Sequence, residues 1–219
     1  MRRAYYSATL EKFQGDQDDL ILGELTRNHQ FALEDLQRNA WISQIVILKK
    51  SLMELPGCYV AFEYAIPRMG KRIDIVLLYQ GIVFALEFKV GEKNYPNPAL
   101  EQSLDYAVDL KNFHEQSHSR AIVPIVIATE AVDNDLAIQS YTDRVYHPIK
   151  SNQNNFISHI KQLAEEINEE QALDPVEWIE SIYKPTPTII EAAQALYKGH
   201  SVKEISRSDS GAVNLGATS

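Results

Sequence analysis

Asp74, Glu87 and Lys89 are the residues of this chain whose types and spacing best suit chemistry. They lie on two branched and aromatic runs, Arg72–Tyr79 (RIDIVLLY) and Ile82–Val90 (IVFALEFKV), joined by Gln80-Gly81. A two-residue connection of that kind suits an antiparallel hairpin. Pairing Tyr79 with Ile82 across the turn sets Asp74 directly opposite Glu87, with Cβ atoms about 5 Å apart on one face. Alternation keeps Lys89 on that face and turns Leu86 and Phe88 to the other. Two carboxylates so close repel unless a cation or a shared proton lies between them. Oxygen ligands completed by water are what Mg²⁺ prefers, and a lysine on the same side can orient or activate a water against a phosphodiester. The opposing reading is an ion pair on a solvated sheet face, shared with Arg72. A similar acid-x-lysine spacing in Asp109-Leu110-Lys111 falls in a predicted helix, where residues two apart do not face each other.

The elements that must position these groups read from the apolar periodicity. Trp41, Ile45, Leu48 and Leu52 recur at three- and four-residue steps, which predicts a helix from near Leu33 to Met53, stopped by Pro56-Gly57. Cys58–Ile66 (CYVAFEYAI) reads as a strand followed by a turn at Pro67-Arg68-Met69-Gly70. A helix from about Pro98 to His114 carries Gln102 and Tyr106, an amide and a phenol four apart on one face. Both can bond phosphate or water without adding negative charge, although Tyr106 alone reads equally as core. Ala121–Ala128 (AIVPIVIA) reads as a strand covered on both faces, with Pro124 suggesting a bulge or an edge position. Helix, three strands, helix, strand is an α/β order, and a mixed sheet between helices is the simplest way to bury those faces.

Asp74, Glu87-x-Lys89 and Gln102-x-x-x-Tyr106 in that αβββαβ order resemble the PD-(D/E)XK nuclease superfamily, in particular its RecB-like branch. The resemblance covers roughly residues 33–130 and implies a restriction-endonuclease-like core. It also implies a metal-dependent nuclease, with Asp74 and Glu87 holding Mg²⁺ or Mn²⁺ and the Phe88 carbonyl as a further ligand. Lys89 would handle the nucleophilic water, and Gln102 and Tyr106 would complete the site. The family's leading helix often supplies a glutamate toward the metal; Gln44 is the best-placed residue here, and a neutral amide serves a cation less well. Ile73 stands where the motif's proline would be. The stretches FEYAIPRMGKRIDIVLL, ALEFKVGEK and VDLKNFHEQSH also look like the nuclease-like N-terminal region of large bacterial proteins that continue into a Schlafen-like helicase/ATPase. That likeness implies a helicase-like ATPase domain or subunit as partner, and a role in defence against foreign DNA. It leaves homo-oligomers open. No Walker A motif is present: at Gly70-Lys71, Ala65 replaces the first glycine and Arg72 the hydroxyl residue. The chain therefore reads as a fragment or shortened relative without the motor.

Charge divides locally. The chain has 219 residues, with 21 lysines and arginines against 30 aspartates and glutamates, net −9. This argues against a protein that coats nucleic acid non-specifically. Between Pro67 and Lys93, however, Arg68, Lys71, Arg72, Lys89 and Lys93 outnumber Asp74, Glu87 and Glu92. Arg68, Lys71 and Arg72 are accordingly the candidate nucleic-acid contacts, with DNA ahead of RNA as substrate. The single Cys58 excludes disulfides and multi-cysteine metal sites within one chain, and a lone thiol fits a reducing cytoplasm. His114 and His118, at a helix end with no third ligand placed, do not make a metal pair. The longest apolar run, Ala121–Ala128, is eight residues, far below the ~20 that span a bilayer, so a soluble protein is expected.

Two units are expected: residues 1–150 as the nuclease-like domain, and 151–219 as a helical extension or linker toward an ATPase. Residues 151–180, rich in glutamate with Lys161 as the one base, read as a solvated acidic helical face. Thr188 and Glu191 suggest a capping box for a helix over 188–198, and the last nineteen residues read as poorly ordered alone. Two rival functions remain. One is a catalytically inactive nucleic-acid-binding or regulatory module of a helicase-like ATPase. The other is a protein-interaction domain using the acidic 160–180 face.

Overall fold

In the computed structural model, which describes residues 3–29 and 34–197, the branched and aromatic runs form the middle of a six-stranded mixed sheet. Its strands are β1 (Tyr6–Thr9), β2 (Tyr59–Ile66), β3 (Lys71–Tyr79), β4 (Ile82–Lys89), β5 (Ile122–Ala128) and β6 (Ile149–Ser151), side by side in chain order. β1 to β4 pair antiparallel, and β4–β5 and β5–β6 pair parallel. The helices are α1 (Leu10–Gly15), α2 (Asp18–Asn28), α3 (Asp35–Ser51), α4 (Asn97–Phe113), α5 (Phe156–Ile167) and α6 (Pro175–Ile179). Residues 187–197 are also helical.

Each sheet face is buried under a different set of helices, as an apolar two-sided sheet requires. Trp41, Ile45 and Leu48 of α3 and Phe156, Ile160 and Leu163 of α5 share one core with Phe62, Ile75, Leu77, Phe84 and Leu86. Ala107 and Leu110 of α4 and Trp178 of α6 share the second with Val76, Leu78, Val83 and Ala85. The β3–β4 turn is made by Gln80 (φ 48°) and Gly81 (φ 77°). Two successive positive φ values match the strands' right-handed twist, and Tyr79 pairs with Ile82 as the spacing predicts.

Several expectations need correction. Pro124 makes no bulge and is not on an edge strand: Ala85–Pro124 is one step of an unbroken β4–β5 register. Ile122 makes both backbone bonds to the 144–146 segment, so alternation puts the missing N–H of Pro124 on that side. There it precedes the β6 pairing, which begins at Ile125. Most acids of residues 151–180 are solvated as expected, but the stretch also carries a buried apolar face. Glu165 and Glu166 are exposed, but Phe156, Ile160 and Leu163 are fully enclosed, and β6 itself runs across residue 150. The last helix is capped from Thr186, whose hydroxyl accepts the N–H of Ile189 at 3.4 Å, rather than from Thr188. Leu33 and the last nineteen residues lie outside the described residues. No helix among the described residues is long and apolar enough to cross a membrane.

Candidate metal centre

Asp74 and Glu87 meet where the β3–β4 ladder stops. Backbone pairing runs from Tyr79–Ile82 to Ile75–Leu86. One step further, the Asp74 carboxylate replaces a backbone partner, its Oδ2 accepting the Phe88 N–H at 2.8 Å. Glu87, 3% exposed, stays paired on its other side with Val126 of β5. Its Oε1 accepts from Lys89 Nζ at 2.8 Å and from Gln102 Nε2 of α4 at 3.0 Å. Its Oε2 is buried with no hydrogen-bond partner. A buried, unpaired carboxylate oxygen carries a desolvation cost of several kcal/mol unless something else meets it. Lys89 keeps 31% of its side chain exposed, so the ion pair has a wet side. Tyr106, one α4 turn beyond Gln102, lines the same cleft as Asp74 and Gln102.

Glu63 is a third carboxylate that the reading of the sequence missed. Phe62–Ile75 and Tyr64–Ile73 are paired, which puts Glu63 across from Asp74 between them. Its φ is +52°, a region that non-glycine residues rarely occupy. Its Oε1 accepts from Trp41 Nε1 at 2.8 Å and from Gln37 Nε2 at 3.2 Å. The Arg72 guanidinium donates to the Glu63 carbonyl oxygen and lies 4.0 Å over the Tyr5 ring. The signal was available: a four-residue turn at Pro67–Gly70 pairs Ile66 with Lys71 and so sets Glu63 opposite Asp74. Gln37 and Glu63, rather than Gln44, line the cleft. Gln44 is buried with its Oε1 unpartnered.

Charge is concentrated and poorly hydrated here. Burial raises the Asp74 carboxyl well above the usual carboxylate range, and the nearby Glu87 and Glu63 raise it further, against the Phe88 bond and Lys89. Burial also raises Glu63, against the Trp41 bond and the Arg72 charge. Burial tends to lower Lys89, but its bond to Glu87 and the charges of Glu87, Asp74 and Glu92 outweigh that and hold it protonated. The Tyr106 phenol is raised by burial and by the same acids, so it remains a neutral hydrogen-bonding group.

Among the described residues no three Asp, Glu, His or Cys side chains close on one point as a ready-made cage. The two inner acids nevertheless fit a hard divalent cation, which is commonly held by one or two carboxylates with water completing the shell. Glu87 Oε2 is an acceptor without a donor, and Asp74 suffers a repulsion that a cation relieves. The Thr129 N–H bonds the Lys89 carbonyl on the β5 side; by alternation the Phe88 carbonyl points to the β3 side with its own N–H, toward Asp74.

The three cations of the β2–β3 hairpin have different situations. Arg68 pairs with Asp109 at 3.0 Å and lies 3.6 Å over the Phe113 ring. Arg72 supports the Glu63 kink as described. Lys71 is exposed at the cleft. His114 is buried, with its ring nitrogens bonded by Ser117, Tyr64 and the Trp178 carbonyl, and so is no metal ligand. No family model, characterised protein or solved structure matches the chain.

Proposed function

We propose that this chain is a divalent-cation-dependent nuclease domain of the PD-(D/E)XK type, with a restriction-endonuclease-like core, acting on phosphodiester bonds of DNA ahead of RNA. The observation that carries the reading is Glu87: a buried carboxylate with one oxygen unmet, set beside a second carboxylate whose own charge is disfavoured. Asp74 and Glu87, with the Phe88 carbonyl, would hold Mg²⁺ or Mn²⁺. When bound, such an ion polarises a phosphoryl oxygen and acidifies water. Gln102 fixes the Glu87 carboxylate from α4, leaving Oε2 as its open acceptor. Lys89, protonated and about a third exposed, orients water and offsets charge on the phosphate. Tyr106 supplies a phenol that donates without ionising.

The rival reading, a silent nucleic-acid-binding module of a helicase-like ATPase, draws on the Lys89–Glu87 ion pair at 2.8 Å, which also serves as a plain structural contact. The two separate in one assay. Labelled single- and double-stranded DNA and RNA are incubated with Mg²⁺, Mn²⁺ or chelator. Wild type cleaves with the metal only, and Asp74→Ala and Lys89→Ala each lose at least ~100-fold. Cleavage that survives chelation or either substitution overturns the assignment; nucleic-acid binding without any cleavage favours the silent module.

A further inference from the structure

We propose that Glu63 belongs to the cation site as a third, water-mediated carboxylate, presented by a strained kink in β2; this rests on the nuclease reading and extends it. Phe62–Ile75 and Tyr64–Ile73 flank Glu63 and Asp74, and the β3–β4 ladder ends at Ile75–Leu86, so continuing the register one step sets Glu63, Asp74 and Glu87 in one row across β2, β3 and β4. Glu63 lines the same cleft as Asp74, Gln102 and Tyr106. Its left-handed backbone, φ +52° within a strand, is a conformation that persists only where the surroundings enforce it. Arg72 does so by bonding the Glu63 carbonyl.

The side chain is tethered on one oxygen only. Trp41 and Gln37 both donate to Oε1, and no hydrogen bond to Oε2 is found among the described residues. Satisfying an indole N–H needs an acceptor, not a charge, and an amide or backbone carbonyl would serve. A carboxylate placed there adds repulsion to Asp74 and Glu87, and a cation removes it. The tether also explains the reach. With no three acids closing on one point, Glu63 meets the ion through its hydration shell, which Mg²⁺ largely keeps. The unmet Glu87 Oε2 marks where that ion sits. Glu63 is thus a positioning residue, filling from the strand the role that Gln44 cannot fill from α3.

Glu63→Gln tests this, because it keeps an acceptor for Trp41 and removes only the charge. The readouts are Mn²⁺ affinity by calorimetry and the unfolding midpoint of the metal-free protein. Affinity falls about tenfold while the metal-free midpoint rises; Glu63→Asp, which keeps the charge, stays within about threefold of wild type in affinity. A purely structural Glu63 gives the reverse, with affinity unchanged and midpoint lowered. That result, or a Glu63→Gln chain that fails to fold, overturns the proposal while Asp74-dependent Mn²⁺ binding leaves the nuclease reading standing. Wild type that binds no Mn²⁺ overturns both.

Discussion

Two buried polar clusters flank β2, and they are built on opposite terms. Both ring nitrogens of His114 are met, although the Tyr183 hydroxyl packed beside the ring is buried without a hydrogen-bond partner among the described residues. The nitrogens contact Ser117 Oγ at 2.7 Å, Tyr64 OH at 3.0 Å and the Trp178 carbonyl at 3.0 Å, while Trp178 Nε1 donates to Ser117 Oγ at 2.9 Å. Rings close the box, His114 and Trp178 at 4.3 Å between centroids and Tyr64 and Trp178 at 5.0 Å. One residue from Tyr64 along β2, the Glu63–Asp74–Glu87 row leaves Glu87 Oε2 without a donor and keeps like charges together. A satisfied buried network fixes a fold; an unsatisfied one costs free energy that a ligand can recover. The first cluster ties α4 and α6 to the sheet, and the second has the character of a binding site.

The largest effect expected from this contrast is on stability in the closed cluster. Trp178 is fully buried and serves both as packing and as a donor. Trp178→Ala should cost about 3–5 kcal/mol, lowering the thermal midpoint by ~10 °C for a chain of this length. Asp74→Asn in the open row should instead leave the metal-free midpoint unchanged or raised at neutral pH. Thermal unfolding with chelator present measures both, and a drop for Asp74→Asn comparable to that for Trp178→Ala would erase the distinction.

Next in size is pH dependence, and the signs differ. The carboxyl of Asp74 is raised on folding, so its stabilising contribution is complete below the ordinary aspartate value of ~3.9 and is lost as pH rises through the raised value. Burial pulls His114 down to about 3. Its contribution is complete above the ordinary ~6.5 and is lost as pH falls from there toward the lowered value. Each proton changes the slope of stability by up to ~1.4 kcal/mol per pH unit. Denaturant unfolding of the metal-free protein from pH 4 to 9 should show Asp74→Asn flattening the alkaline loss and His114→Gln flattening the acid loss. The slope, not the level, is the reading, since His114→Gln also removes hydrogen bonds. Identical slopes in wild type and Asp74→Asn would show that Asp74 carries no excess charge cost.

Much of the central sheet was legible because its cues are local. Gln80-Gly81 fixes a hairpin register by itself, and that register carries Ile75–Tyr79 onto Ile82–Leu86. It does not carry the backbone pairing to Asp74, because a side-chain acceptor takes the Phe88 N–H there. β1 and β6, four and three residues long, have too little periodicity to read. Glu63 was missed for a different reason. At the left-handed Glu63 the alternation breaks: Tyr64 and Ile66 join the α4-side core while Val60 and Phe62 belong to the α3 side, and on β3 their partners Ile73 and Ile75 divide the same way. Strict period-two reading cannot show that break. In the acidic 151–180 stretch the exposed glutamates were legible, and they mask Phe156, Ile160 and Leu163, which recur on the buried face.

The smallest expected effect concerns the rim of the open cluster and separates structural cations from free ones. Arg68 and Arg72 have structural partners: Asp109 and the Phe113 ring for one, the Glu63 carbonyl and the Tyr5 ring for the other. The Lys71 side chain is exposed and makes no hydrogen bond or ion pair to any described residue. Lys71→Ala should therefore change stability by no more than ~0.5 kcal/mol, whereas Arg72→Ala also removes a bond that supports the kink. If the hairpin contacts a phosphate backbone, each cation engaged steepens the salt dependence of binding by about one counterion. Titrating labelled DNA in chelator across a range of salt concentrations should give Lys71→Ala a slope shallower by ~1 with its fold intact. An unchanged slope removes Lys71 from the nucleic-acid path, leaving its two arginine neighbours as supports of the fold and the acids as a site approached from another side.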